Sequence, residues 1–168
     1  MSKDNYMSGF KWLAIYQIAG GLVGIAFMSA LIFDIPNFQL SDDILLGIGL
    51  LLFVFSIYCG IILFQKKPNS LIMSLVCQGL QSVSVAGFGF LYKYVSGFLF
   101  SVILESSDSF SVHFNLSISS FVLYINSDNA DRSIEFNIIA IGMVVVLYHS
   151  IRSIKDEKAG DLIDSIGN

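Results

Sequence analysis

Ser74, Gln78, Gln81 and Ser82 recur at i, i+4, i+7 and i+8 inside an apolar run, which on a helix is a single face. Amides and hydroxyls in such a setting do one of two things. They hydrogen-bond to a neighbouring helix, or they line a path for a polar solute. Gln17, in an earlier apolar run, falls at a depth that meets them. The stripe reads first as glue between two helices, with a path lined by Ser74, Gln78 and Gln81 as the alternative. Gly20 and Gly24 form a G-x-x-x-G on the same run as Gln17, a spacing that lets another backbone approach closely in lipid. The expectation is packing within one bundle, with a subunit interface as the second use.

Little else carries chemistry. The two histidines are His113 and His149. His149 adjoins Ser150, but neighbours on a helix point about 100° apart, so the pair does not make the hydrogen bond that nucleophilic catalysis needs. Cys59 and Cys77 lie inside apolar runs and read as small buried hydrophobes. Phosphate loops and dinucleotide fingerprints are missing. No catalytic, cofactor-binding or metal-binding residue is therefore assigned, no cofactor is expected, and the chain reads as not an enzyme. Aspartate and glutamate are absent from the apolar runs except for Glu135 at the very start of the last, which disfavours proton-coupled transport, since that chemistry keeps a carboxylate at membrane depth.

The elements that position these residues follow from composition. Of 168 residues, 55% are hydrophobic and 13% charged, and mean hydropathy is +0.75. A soluble domain carries about twice that charged fraction. Water-soluble globules, disordered regulators and nucleic-acid binders are disfavoured; the lipid bilayer is the first expected partner. A membrane-spanning helix needs about 20 mainly apolar residues. The first candidate covers 10–33, too long for a signal-peptide core of about 7–15 residues. The second covers 44–64, with Ser41, Asp42 and Asp43 suited to its start and Lys66, Lys67 and Pro68 closing it. The third apolar run continues to Leu104, about 51 Å if helical throughout, so the span is placed at 71–92. Tyr92, Lys93 and Tyr94 serve as its interfacial anchors. A fourth span is expected at 134–151.

Seven of the nine basic residues (Lys3, Lys11, Lys66, Lys67, Arg152, Lys155, Lys158) fall on one side of these spans, the side that faces the cytoplasm by the positive-inside rule. Four spans then put both termini in the cytoplasm. Between the third and fourth spans, 95–133 forms an extracytoplasmic segment. Within it Val112, Phe114, Leu116 and Ile118 alternate with Ser111, His113, Asn115, Ser117 and Ser119, the period of a half-buried strand. A second apolar run follows, so strands are expected near 110–119 and 121–126.

The sequence thus predicts an all-α integral membrane protein forming one membrane domain over 1–168. It has four transmembrane helices, an N-in/C-in topology, a small extracytoplasmic β-hairpin between helices 3 and 4, and a cytoplasmic tail at 152–168. The expected location is the plasma (inner) membrane. The expected role is a non-enzymatic accessory or scaffold subunit that presents the outer segment to a membrane-protein partner or to another copy, as a homo-oligomer. A small oligomeric channel or facilitator is the alternative. Nucleic acid is not an expected partner.

Overall fold

Lys11–Asp34 forms helix α1 and Leu40–Phe64 forms α2 in the structure, a computed structural model that describes residues 9–34, 40–67, 69–106, 110–125 and 132–166. Both helices lie over the apolar runs expected at 10–33 and 44–64, but α2 begins at Leu40, so Ser41, expected to cap its start, lies inside the helix. The end of α2 is closed by a Schellman turn: Lys67 N–H reaches the carbonyl of Ile62 at 3.0 Å and Lys66 N–H that of Leu63 at 3.1 Å. Lys66 takes the left-handed conformation this needs, at φ 54°.

From here the expected architecture fails. Helix α3 covers only Ser70–Ser82, 13 residues, or about 20 Å, and does not reach 92. The chain then enters β1 (Val83–Gly87), β2 (Phe90–Ser106), β3 (Phe110–Ile125) and β4 (Arg132–Asn137) before α4 (Ile138–Ile166). The fold is therefore mixed α/β, not all-α. Three helices, at Lys11–Ala30, Ile44–Phe64 and Ile138–Asp156, are long and apolar enough to cross a membrane. The span expected at 71–92 is not among them, so the even number of crossings behind the N-in/C-in argument is lost. The expected strands near 110–119 and 121–126 are one continuous strand paired with β2, and the first residues of the expected fourth span are β4. Residue 126 itself lies outside the described residues.

The sheet closes on itself. β3 follows β2 along its length, from Phe90↔Ile125 to Ser106↔Phe110. On its other side β2 pairs with β1 at Phe90–Tyr92 and with β4 at Ser101–Ser106, while β1 and β4 pair with each other. One strand meets both members of a pair only if it bends back on itself. The bend lies at the irregularity between Val95 and Phe98, where Gly97 takes φ 110°, a value that favours glycine. The two tips of the folded ladder return to the same end, where the Arg132 guanidinium lies 4.4 Å over the Phe88 ring.

Contacts along α1 order the elements by depth. Ala14, Leu63, Leu71 and Leu147 form one core cluster with Phe10, Leu75 and Ile151 against it. The start of α1, the end of α2, the start of α3 and the middle of α4 thus share one end, which also carries Lys11, Lys66, Lys67, Arg152 and Lys155. The sheet occupies the opposite half. Its bend meets Gly20, and Phe121 packs with Met28 and Phe53 toward the far end. The β element stands beside the second half of α1, not beyond it.

Candidate functional site

The polar residues singled out in the sequence come together in the interior. Gln17, Ser74, Gln78 and Gln81 are all buried. Ser74 Oγ donates to Gln17 Oε1 at 3.1 Å, tying α3 to α1. Gln81 accepts from the Ser96 backbone N–H at 2.9 Å, tying α3 to the bend of β2. Gln78 is fully buried, yet neither its nitrogen nor its oxygen has a partner, and Gln17 Nε2 is also unpaired.

Gly20 and Gly24 are filled from within the chain. A Cβ on Gly20 would stand 2.4 Å from the Gly97 nitrogen, and one on Gly24 would stand 2.1 Å from the Phe53 ring. Close approach is what these glycines provide, and the partners are β2 and α2 of the same molecule.

The bend that Gly20 admits is held by Ser56, Ser96 and Ser119, of which the sequence marked only Ser119, as a polar position of the strand. Gly97 N–H donates to Ser119 Oγ at 2.9 Å, and that hydroxyl donates to the Gly20 carbonyl at 2.8 Å. Ser96 Oγ donates to Ser56 Oγ at 2.9 Å, which in turn donates to the Gln17 carbonyl at 3.1 Å. Tyr16 adds a bond from its hydroxyl to the Phe98 carbonyl at 2.9 Å. Their signal in the sequence was small: single hydroxyls in apolar runs, which become legible only when the strand fold is known.

Tyr92, Lys93 and Tyr94 direct their polar ends into the protein. Tyr92 donates to the Leu80 carbonyl at 2.9 Å and Tyr94 to the Leu52 carbonyl at 2.8 Å. Lys93 Nζ lies 2.7 Å from Glu135 Oε2. The other carboxylate oxygen accepts from Ser101 Oγ and, at 3.1 Å, from Asn115 Nδ2. A carboxylate thus stands in the interior after all, contributed by β4 and not by a helix; Glu135 is 7% exposed. Burial acts to raise its pKa, but hydrogen bonds from Lys93, Ser101 and Asn115, with the charge of Lys93, outweigh that and hold it below the usual carboxylate value. A cavity of about 100 Å³ opens beside the pair, lined by Ser84, Tyr92, Lys93, Ser133 and Glu135 among others.

The outer surface has the opposite character. Phe114 and Leu116 are 73% and 79% exposed, and Phe110, Val112 and Ile118 are exposed beside them. Their alternating partner Ser119 is buried, and Asn115 reaches the Glu135 carboxylate. The period of two was a strand, but the apolar face points outward. Among the described residues the buried side chains divide evenly, thirteen hydrophobic and thirteen polar or charged. That balance is far more polar than a water-soluble core.

Ser150 donates back to the Val146 carbonyl at 2.8 Å, so it forms no pair with His149. Cys59 and Cys77 are buried and free. Among the described residues no three His, Cys, Asp or Glu side chains come together as a metal site would require.

The class these features define is a mixed α/β chain with membrane-compatible helices, a polar interior and an apolar exterior. No family model, curated protein or solved structure matches the chain.

Proposed function

We propose that this chain is a non-enzymatic accessory or scaffold subunit of the plasma (inner) membrane, which offers its folded sheet to another protein within the bilayer. Its basic end, with Lys11, Lys66, Lys67, Arg152 and Lys155, faces the cytoplasm. The observation that carries this reading is the outward apolar face of β3, a 16-residue strand with no strand on its far side among the described residues. A photo-reactive phenylalanine analogue at Leu116, irradiated in native membranes, is expected to capture protein in a discrete band. Labelling of lipid alone would remove the reading.

A facilitator for a small polar solute is the second reading. It is supported by the unpaired amide atoms of Gln17 and Gln78, because a buried polar group without a partner costs about 1–3 kcal/mol and is relieved by water or solute. Flux into liposomes separates the two. Gln78→Leu abolishes flux if the stripe carries solute, and changes only stability or assembly in the scaffold.

A further inference from the structure

Among the described residues no strand pairs with the far edge of β3, and the strand carries none of the residue types by which edges are protected. An edge strand exposes unpaired N–H and C=O groups, and natural sheets blunt it with lysine, proline, inward charge or a covering segment. Phe110–Ile125 contains no Lys, Arg, Asp, Glu or Pro. In the ladder every second residue of β3 turns its backbone groups away from β2, and the order β1-β4-β2-β3 leaves β3 outermost. Among the described residues no other backbone segment hydrogen-bonds to that edge. The C-terminal half of β3 at least faces α1, across a cleft of about 560 Å³ lined by Gly24, Met28 and residues 117–122. The N-terminal half, from Phe110 to Leu116, is the more exposed part.

Depth makes this edge untenable as it stands. The bend of the β2–β3 ladder meets Gly20, in the middle of a candidate span, and Phe121 packs still farther along the same helix pair. Open sheet edges do not persist in hydrocarbon, because lipid offers backbone groups no hydrogen bonds. The occupant must therefore be an extended strand, since only that presents matching donors and acceptors at matching spacing.

We infer that the occupant is β3 of a second copy, paired antiparallel about a two-fold axis at Phe114, so that two sheets join into one. The inference rests on the membrane scaffold reading above and names its partner. The strand is self-complementary in this register. Opposed residues in an antiparallel pair share a face, so Phe110 meets Ile118, Val112 meets Leu116 and Phe114 meets its own counterpart, all on the apolar side. Ser111 meets Ser117 and His113 meets Asn115 on the polar side. No like charges are brought together, because this stretch carries no Lys, Arg, Asp or Glu. A two-fold contact is isologous and closes at two copies. The glycine face of α1, the other candidate for self-association, is already filled by Gly97 and Phe53 of the same chain.

Cysteine cross-linking of the full chain in its native membrane tests this, with subunit counting in lipid nanodiscs. Cys59 and Cys77 are buried, so the parent chain supplies the blank. Under mild copper-catalysed oxidation, Phe114→Cys is expected to give a disulfide-linked dimer. Phe100→Cys, whose ring stacks on Phe114 within the chain at 6.3 Å, is expected to stay monomeric. Position 100 is opposite Leu116, so across the joined sheet its two copies stand at least three strand spacings apart, more than about 14 Å, against one spacing for position 114. Mixed expression of Val112→Cys with Leu116→Cys should give a heterodimer link stronger than either variant gives alone. Nanodiscs should hold two chains. An unchanged melting temperature for each variant certifies the fold. One chain per disc without a link at 114, or a dimer that links elsewhere, overturns the self-pairing. If the photo-reactive group at Leu116 then captures a different protein, the scaffold reading stands and only the second copy is lost. If it labels lipid alone, both are lost.

Discussion

Glu135 shows how a single carboxylate can be invisible in a sequence and central in a structure. It follows a polar stretch, Asn126 to Ser133, and at the outer end of the span expected at 134–151 it reads as one more acidic residue of the outer face. Only the β4 pairing, which sets it opposite Ile103 on β2 and Ser84 on β1, turns it inward to Lys93. Lys93 itself was legible as the one ionisable residue of its run, though its partner was not. Because the folded-state pKa of Glu135 is lowered, its contribution to stability is fully present above the unfolded value of about 4.3. That contribution is lost as pH falls below this value, through the lower folded one. Melting temperature in detergent should therefore hold from neutral pH down to about 4.3 and decline below it. Glu135→Gln should cost about 3 kcal/mol, since it leaves a largely buried ammonium without its counter-charge. Lys93→Met should cost a similar amount for the converse reason, and the double variant less than the sum. Additive losses in chemical denaturation would mean that the two side chains do not act as a pair.

At the scale of elements, α1 and α2 were legible because each is a long apolar run with its stop written in residues: Asp34 after the first, Lys66 and Lys67 after the second. The third run was not legible, since a continuous apolar stretch does not distinguish a buried helix from a lipid-facing strand. The local evidence lay in Val83, Val85, Gly87 and Gly89, β-branched residues and a glycine turn directly after Ser82. Composition at membrane depth pointed the other way. The joint between helix and sheet gives a paired prediction. Gly20→Ala drives a Cβ into the backbone of Gly97, which cannot step aside as a side-chain tip can, and should destabilise by about 1–3 kcal/mol. Gly79→Ala, on α3 with nothing within 4 Å of the new atom, removes only a weak helix former and should stabilise by up to about 1 kcal/mol. Both are read from thermal unfolding in one detergent. Equal effects would remove the close helix–sheet contact from the account.

Across the whole molecule, three of the four spans expected from hydropathy are helices that suit a membrane, but hydropathy could not place the sheet and took its first strands for the remaining span. The alternation in 111–119 fixes two faces and leaves open which one is inside. Water would bury Phe114 and Leu116; the structure exposes them and buries Ser101, Ser119 and Glu135. That inversion has a consistent explanation if hydrocarbon surrounds the sheet as well as the helices, because apolar side chains then gain nothing by turning inward while polar ones must find each other. Depth-dependent fluorescence quenching tests it directly. The chain has one tryptophan, Trp12, so Trp12→Phe provides a dark background into which Leu116→Trp is placed. In vesicles of lipids brominated on the acyl chains, emission from position 116 should be quenched strongly. Phe88→Trp, at the tip of the β1–β2 turn beside Arg132, should be quenched less and respond more to aqueous iodide. The contrast follows from geometry, since position 116 lies near the bend against the middle of α1 and position 88 at the open end. If instead position 116 responds to iodide and ignores the bromines, the sheet stands in water, and its outward phenylalanines must be covered by protein alone.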